Sequence, residues 1–238
     1  MTYTIPNISR HKAARIAGFF YLVIIITGMF AELFVREALM VPGNAMATAH
    51  NIQTKEMLYR WGFVADLINY VSGLPVILIF YLLFRQVNKH LALLALFFVL
   101  IQTAIGAVNL SNQLSPLLLL SGDKYLQAFQ PEQLAILSKQ ALLLLEQGYA
   151  IGLVFFGFYC IIIGFLMFKS AFMPRLLGIG YAIAGAGYLA NSFIMFLTHK
   201  FANPLFPYIL IPPFIGEASV CLWLLIMGVK NNKQALAV

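Results

Sequence analysis

Hydrophobic residues run along the chain in six long stretches, and none of these stretches alternates regularly between apolar and polar positions. A helix needs about 20 apolar residues to cross the hydrocarbon core of a bilayer. Only helices and closed barrels satisfy the backbone in lipid, and continuous apolar runs favour helices. The pattern predicts an all-α, polytopic membrane protein, a bundle of six transmembrane helices at residues 14–35, 58–84, 90–118, 147–168, 175–198 and 210–229.

The segments between the spans carry turn and helix signals. Loop 37–57 contains the turn-forming sequence Val-Pro-Gly-Asn, followed by a helix-compatible stretch. Segment 131–145 begins with Pro131, and proline is favoured at the first position of a helix. This segment is predicted to be either an interfacial helix or an outward extension of the fourth span. We expect a single integral membrane domain over residues 1–238.

The first apolar run is predicted to be a retained span. Basic residues precede it, as they do in a signal peptide, but a signal peptide has a shorter apolar core and a small-residue cleavage site. The run at 16–35 is 20 residues long and lacks that site.

Lysine and arginine predict the orientation, because cytoplasmic loops of membrane proteins carry an excess of both. With the amino terminus inside, nine of the 15 basic residues flank the cytoplasmic side, and all eight acidic residues lie elsewhere. We therefore predict that both termini are cytoplasmic (N-in, C-in). The nine residues are Arg10, Lys12, Arg15, Arg85, Lys89, Lys169, Arg175, Lys230 and Lys233.

Composition supports a membrane protein over a nucleic-acid-binding one. The chain is 62% hydrophobic and 10% charged, whereas soluble domains carry about 25% charged residues. Its formal net charge of +7 comes from basic residues that flank apolar runs. We therefore interpret the charge as a topological signal and expect the lipid bilayer, not nucleic acid, as the partner.

Small and polar residues recur at steps of three and four in several spans. Such residues share one helix face. In a membrane this face is expected to point into the bundle or into a water-filled cavity, because polar groups are costly in lipid. The stripes are Gly18, Tyr21, Ile25, Gly28 and Glu32; Gly62, Asp66, Asn69 and Gly73; Gln102, Gly106, Asn109 and Gln113; and Tyr181, Ala184, Tyr188 and Asn191.

Acidic residues lie near the outer ends of four spans. At about 1.5 Å per residue, Asp66 is roughly 12 Å along its helix from Leu58, the deepest of these positions. Our leading hypothesis is an outward-facing polar cavity that binds, or helps to transport, a small polar or cationic molecule or a lipid head group. Its candidate ligand-binding residues are Glu32, Asp66, Asn69, Asn109, Gln113, Glu146, Asn191 and Glu217.

Structural alternatives exist for the same residues. Glu32 and Arg36 form an i,i+4 pair in the favourable order, and each could simply neutralise the other. Glu217 follows a proline pair and could occupy the first turn of a helix, where the dipole favours a carboxylate. Glu146 could be an interfacial residue. On this view the stripes serve helix packing, and the chain is a structural or partner-binding membrane protein.

Catalytic and metal-binding signatures do not occur in the sequence. There is no HExxH, GxSxG, phosphate-loop or dinucleotide motif, and His50 and His199 lie on separate loops. Cys160 and Cys221 lie in apolar segments without CxxC spacing. We expect no catalytic residue, no metal site and no cofactor. The remaining alternative is an intramembrane lipid-modifying enzyme that uses paired carboxylates as general acid and base.

A short pattern, R-x-x-G-x-x-Y, occurs at 15–21 and again at 175–181, each time at the start of an outward-going span. It has two explanations, a duplicated two-helix unit or a shared composition at membrane entry.

Seven segments together resemble a bacterial multi-pass integral membrane family of unknown function, domain-of-unknown-function family 4386. They are RIAGFFYLVIIITGMFAELFVR, VPGNAMATAHNI, RWGFVADLINY, LLSGDKYLQAF, YAIGLVFFGFYC, MPRLLGIGYAIAGAGYLANSF and PPFIGEASVCLWLL. The resemblance covers about residues 12 to 230 and implies a protein of the bacterial inner membrane, without an established activity. The family often has an acid after Val-Pro-Gly, where this chain has Asn44.

The sequence leaves open whether the chain forms a homo-oligomer.

Overall fold

The computed structural model describes residues 9–198, 205 and 207–229. Within these ranges the regular structure is helical and no strand forms. The predictions that concern His199, Lys230 and Lys233 lie outside the described residues.

The described residues form seven helices, and six of these helices are long and apolar enough to cross a membrane. The prediction of an all-α protein with six membrane-spanning helices is therefore confirmed. A 3₁₀ turn at Lys124–Ala128 lies between α4 and α5. The helices are α1 Arg10–Leu39, α2 Ala45–Thr54, α3 Glu56–Phe84, α4 Lys89–Leu119, α5 Pro131–Lys169, α6 Arg175–Leu197 and α7 Tyr208–Ile226.

The fifth helix shows which interpretation of segment 131–145 applies. The segment is the first part of one continuous helix of 39 residues, so it extends the fourth span and is not a separate interfacial helix. Pro131 begins this helix, and the side chain of Gln133 accepts a hydrogen bond from the backbone N–H of Gln130 at 2.8 Å. This bond satisfies one of the donors that a helix start leaves open.

The turn before α2 explains Asn44. Gly43 has a φ of 72°, a left-handed conformation that glycine adopts without strain. The next residue caps α2, because the Asn44 side chain accepts a hydrogen bond from the backbone N–H of Ala47 at 2.9 Å. Asparagine and aspartate cap helices about equally well. Asparagine at this position therefore keeps the cap without a charge.

Residue contacts divide the chain into two units. Unit 1 contains residues 1–23, 72–102 and 152–238, and unit 2 contains residues 24–71 and 103–151. Helices α6 and α7 belong to unit 1 and α2 belongs to unit 2, whereas α1, α3, α4 and α5 contribute residues to both. The single membrane domain over 1–238 stays a prediction.

Glycines bring α5 and α6 into backbone contact in unit 1. A Cβ atom on Gly164 would lie 2.6 Å from the carbonyl oxygen of Gly178, and one on Gly185 would lie 2.5 Å from that of Gly157. The two glycines on each helix are seven residues, or about two turns, apart on the same face, and the order of the two contacts is antiparallel. Small residues at a helix interface allow such close approach in membranes.

Helix α7 packs equally closely on its neighbours in unit 1. A Cβ atom on Gly18 of α1 would lie 2.5 Å from the backbone nitrogen of Leu225, and one on Gly216 would lie 2.7 Å from the carbonyl oxygen of Gly180 in α6. The backbones of α1 and α6 therefore both contact that of α7.

Unit 2 is held by an apolar cluster at the end of α1 and the beginning of α3. Its buried members come from α1, α2, α3 and α5, and these four helices form the frame for the polar residues described below. The members are Val35, Leu39, Ile52, Tyr59 and Leu142.

Candidate functional site

The main polar feature of unit 2 is an arginine that lies between two carboxylates. Arg36 Nε contacts Glu32 Oε2 at 2.5 Å, and Arg36 Nη1 contacts Asp66 Oδ2 at 2.7 Å. The Asp66 side chain is 14% exposed and that of Arg36 is 22% exposed, whereas that of Glu32 is 43% exposed. The ion pairs are thus enclosed on the Asp66 side and accessible on the Glu32 side.

A π-helical segment in α1 and the close approach of α1 to α3 position Arg36. Residues Phe30–Arg36 form a π-helical segment, a wider turn that often occurs at functional sites. Opposite it, a Cβ atom on Gly62 of α3 would lie 2.7 Å from the Val35 side chain, so the two helices approach closely. Asp66 lies one turn after Gly62 and Arg36 directly follows Val35. The close approach therefore brings the two charges together.

Gln113 of α4 completes the group. Its amide Nε2 donates a hydrogen bond to Asp66 Oδ2 at 2.8 Å, and the Tyr59 hydroxyl donates to its backbone oxygen at 2.7 Å. Gln113 is 2% exposed, and its Oε1 atom has no hydrogen-bond partner among the described residues. We name Glu32, Arg36, Asp66 and Gln113 the Arg36 cluster. An unpaired buried acceptor costs roughly 1–3 kcal/mol, so Oε1 is a position that favours a donor.

Glu146 of α5 adds a further carboxylate near this cluster. It is exposed, and it interacts electrostatically with Lys139, Glu32 and Arg36. Together with the cluster it makes three carboxylates against two basic side chains in this part of unit 2. The local excess of charge is therefore negative.

Two candidate asparagines of unit 2 bind neighbouring helices. Asn69 Nδ2 donates to the backbone oxygen of Ile24 in α1 at 2.8 Å, and Asn109 Nδ2 donates to that of Leu145 in α5 at 2.7 Å. The Asn109 side chain also packs directly against Gly148. These amides hold helices together, and this geometry agrees with the structural alternative for them.

Asn109 also lines a groove on unit 2. The groove is open and mostly apolar, and it does not include the residues of the Arg36 cluster. Its lining residues are Ala104, Ile105, Val108, Asn109, Ser111, Asn112 and Gly148.

The last two candidates, Asn191 and Glu217, belong to unit 1. Asn191 is 7% exposed on α6. Glu217 Oε2 accepts a hydrogen bond from the Tyr21 hydroxyl at 2.9 Å, and Glu217 Oε1 accepts one from the Tyr188 hydroxyl. Glu217 lies beyond the first turn of α7. The structural alternative that placed this residue in the first turn of a helix is therefore wrong.

The structure brings only part of the predicted site together. Glu32, Asp66 and Gln113 meet through Arg36, and Glu146 lies within electrostatic range. A polar cavity shared by all eight candidates stays a prediction. The sequence interpretation treated Arg36 only as a neutralising partner and left out Tyr59. Tyr59 and Asp66 are two turns apart on one face of α3, and this spacing could have predicted that Tyr59 lies at the site.

Metal ligands do not cluster in the described ranges. No group of three or more His, Cys, Asp or Glu side chains there could hold a metal ion. Cys160 and Cys221 are buried free thiols.

Comparison with known proteins gives the family. The family described as "Domain of unknown function (DUF4386)" matches residues 16–228. The chain belongs to this family. The DUF4386 match includes five of the six apolar helices in full and the first from residue 16 onward, so the chain is a multi-pass membrane protein of a family without an assigned function.

A curated relative of the chain comes from Archaeoglobus fulgidus and is described as an uncharacterized protein. It is 31% identical over 83 residues, a match that covers 35% of this chain and 48% of the relative. The chain thus spans about half the length of that relative. No solved structure matches the chain.

Proposed function

We propose that the Arg36 cluster and Glu146 bind a small cationic molecule or a lipid head group, as part of a binding or transport-related function. The observation that carries this proposal is the buried Oε1 atom of Gln113, which has no donor among the described residues. It lies on the side chain that binds Asp66. A ligand that supplies an N–H donor would satisfy this acceptor.

The charges of the same group favour a cation. Arg36 is paired with both Glu32 and Asp66, so its own positive charge is already compensated. Glu146 adds a third carboxylate to the group. Arg36 and Lys139 supply two positive charges, so one negative charge of the group is not balanced. A primary ammonium group carries both the charge and the N–H donors that this arrangement lacks. A quaternary ammonium carries only the charge, and a phosphate carries the wrong sign.

The test is ligand-induced thermal stabilisation of the purified protein in detergent. Ethanolamine is expected to raise the unfolding midpoint, choline to raise it less, and glycerol 3-phosphate to leave it unchanged. A ligand at about 100 times its Kd stabilises the folded state by roughly 2.7 kcal/mol. Asp66→Asn and Glu146→Gln are expected to reduce the response to ethanolamine, each measured against its own ligand-free midpoint.

Glu132→Gln is the matched control, because Glu132 lies in the first turn of the same helix as Glu146 and is exposed. It should respond to ethanolamine as the wild type does. The proposal loses its basis if none of the three compounds stabilises the wild type, or if Asp66→Asn responds to all of them as the wild type does.

We further propose that the chain lies in the bacterial inner membrane with both termini in the cytoplasm. The short connections after α3 and α5 support this orientation, because Arg85, Lys89, Lys169 and Arg175 flank them. Acidic residues lie in the connections on the opposite side, as Asp123 does.

Cysteine labelling in intact cells tests the orientation. Gln86→Cys lies after α3 and is expected to resist a membrane-impermeant maleimide, whereas Asp123→Cys after α4 is expected to react. Both positions are exposed, and the native Cys160 and Cys221 are buried, so the background should be low. The reverse pattern would place the termini outside.

A structural or partner-binding function is the second candidate. The hydrogen bonds from Asn69 and Asn109 to the backbones of neighbouring helices favour it, because such bonds stabilise helix association in membranes. An intramembrane enzyme has weaker support. Its paired carboxylates would need freedom to exchange protons, and Glu32 and Asp66 are both ion-paired with Arg36.

A further inference from the structure

Glu217 is a carboxyl group inside an apolar span whose two oxygen atoms both bind tyrosine hydroxyls. Tyr21 of α1 reaches Oε2 at 2.9 Å, and Tyr188 of α6 reaches Oε1. The Tyr21 hydroxyl also lies 3.0 Å from the hydroxyl of Tyr181. The three oxygen atoms of Tyr181, Tyr21 and Glu217 therefore form a continuous hydrogen-bonded chain within unit 1.

Among the described residues, no positively charged side chain pairs with Glu217. The titratable groups that face it from the neighbouring helices are phenols and thiols. They are Tyr21 of α1, Tyr159 and Cys160 of α5, Tyr181 and Tyr188 of α6, and Cys221 of α7.

A carboxylate in such a place is costly, because charges inside a span are normally paired or face water. The two tyrosine hydroxyls offset part of this cost by donating to it. Binding a proton removes the charge altogether. The tyrosines can accommodate both states, since a hydroxyl can donate a hydrogen bond or accept one.

We propose that Glu217, Tyr21 and Tyr181 form a proton-binding chain in the membrane-spanning part of unit 1. With Glu217 ionised, Tyr181 donates to Tyr21, and Tyr21 donates to Glu217 Oε2. With a proton on Oε2, both hydrogen bonds reverse, so that Glu217 donates to Tyr21 and Tyr21 donates to Tyr181.

Proton binding balances without any change of oxidation state. Uptake of a proton from water forms one O–H bond, at Glu217 Oε2, and release of that proton to water breaks the same bond. The Tyr21 and Tyr181 hydroxyls keep their own protons and only rotate, so that each hydrogen bond reverses its direction. After release Glu217 is a carboxylate again. The proposal depends only on contacts within unit 1 and is independent of the ligand proposed for unit 2.

Infrared difference spectroscopy tests the proposal on the full chain in lipid bilayers. As pH is varied, the C=O stretching band of a protonated carboxyl group is expected to appear and disappear. Glu217→Gln should remove this band, whereas Glu132→Gln, which changes an exposed acid, should retain it. Tyr21→Phe should shift the frequency of the band, because the carboxyl group loses one hydrogen-bond partner.

Tyr125→Phe is the control for loss of a phenol hydroxyl, since Tyr125 is 66% exposed. Its spectrum should match that of the wild type. The proposal is overturned if no carboxyl band titrates over the pH range in which circular dichroism shows a folded protein, or if Glu217→Gln keeps the whole band. Should Glu217→Gln fail to fold, Tyr21→Phe decides, and an unshifted band overturns the proposal.

Discussion

Gly178→Leu is expected to prevent most of the protein from folding, because it inserts a side chain where two helix backbones touch. A Cβ atom on Gly178 would lie 2.5 Å from the carbonyl oxygen of Gly164 and 2.6 Å from the backbone nitrogen of Phe168. Both atoms belong to the backbone of α5, so no side-chain rotation relieves the clash. Overpacking by even a few methylene groups costs about 1–3 kcal/mol, and a displaced helix costs more.

Smaller substitutions make the same test quantitative. Gly178→Ala and Gly164→Ala are each expected to lower the free energy of unfolding by about 1–3 kcal/mol. Gly73→Ala is the matched control, since a Cβ atom there meets nothing within 4 Å. It should change stability by less than about 1 kcal/mol.

The measurement is denaturant unfolding of the purified variants in mixed micelles, together with the yield of monodisperse protein for Gly178→Leu. Equal stability of Gly178→Ala and Gly73→Ala would show that α5 and α6 do not pack at this distance.

The six spans were predictable because a single physical quantity, apolar length, determines them. The bilayer requires about 20 apolar residues whatever the neighbours are. The beginning of α5 was less predictable. Residues 131–145 are apolar enough to lie at the interface or to continue the span, and only the continuity of the backbone through Glu146 distinguishes the two.

The sequence predicted which helix faces carry the polar residues of the site, but not which hydrogen-bond partner each side chain has. One stripe on α4 contains both Asn109 and Gln113, which are one turn apart. In the structure Gln113 binds Asp66 of α3, whereas Asn109 binds the backbone of Leu145 in α5. Periodicity shows that two residues share a face. It does not show which of two neighbouring helices each side chain reaches.

The repeated R-x-x-G-x-x-Y pattern has equivalent contacts in the structure. Gly18 and Gly178, its two glycines, both lie where a Cβ atom would meet the backbone of a neighbouring helix. Its two tyrosines, Tyr21 and Tyr181, bind each other through their hydroxyls. These contacts fit either a duplication or a common packing requirement, because both explanations place a glycine and a tyrosine on the same inward face.

Arg36→Leu is expected to destabilise the protein by roughly 3 kcal/mol, the lower end of the range for breaking a buried ion pair. The lower end applies because Arg36 and Asp66 keep 22% and 14% side-chain exposure. The loss has one main cause. Without the guanidinium, the carboxylates of Glu32 and Asp66 remain in unit 2 with no cation between them.

Arg60→Leu is the matched control, because Arg60 and Glu56 form the same i,i+4 contact through Nε at 2.7 Å. Their side chains are 52% and 50% exposed, so water screens the pair and its loss should cost no more than about 1 kcal/mol. Unfolding of both variants in mixed micelles measures the difference. Equal losses would mean that enclosure does not strengthen the Arg36 contacts.

The double variant Arg36→Leu with Asp66→Leu distinguishes the electrostatic contribution of the ion pair to stability from the contribution of side-chain packing. Replacing both partners by apolar residues removes the uncompensated charge of Asp66, and such replacements are often neutral or stabilising. We expect the double variant to recover a large part of the stability that Arg36→Leu loses. A coupling energy of about 0.5–3 kcal/mol is typical for residues in contact. If the double variant instead loses the sum of the free energies that the two single variants lose, Arg36 and Asp66 contribute to stability independently. The ligand proposal, which treats the Arg36 cluster as one interacting group, would then lose its support.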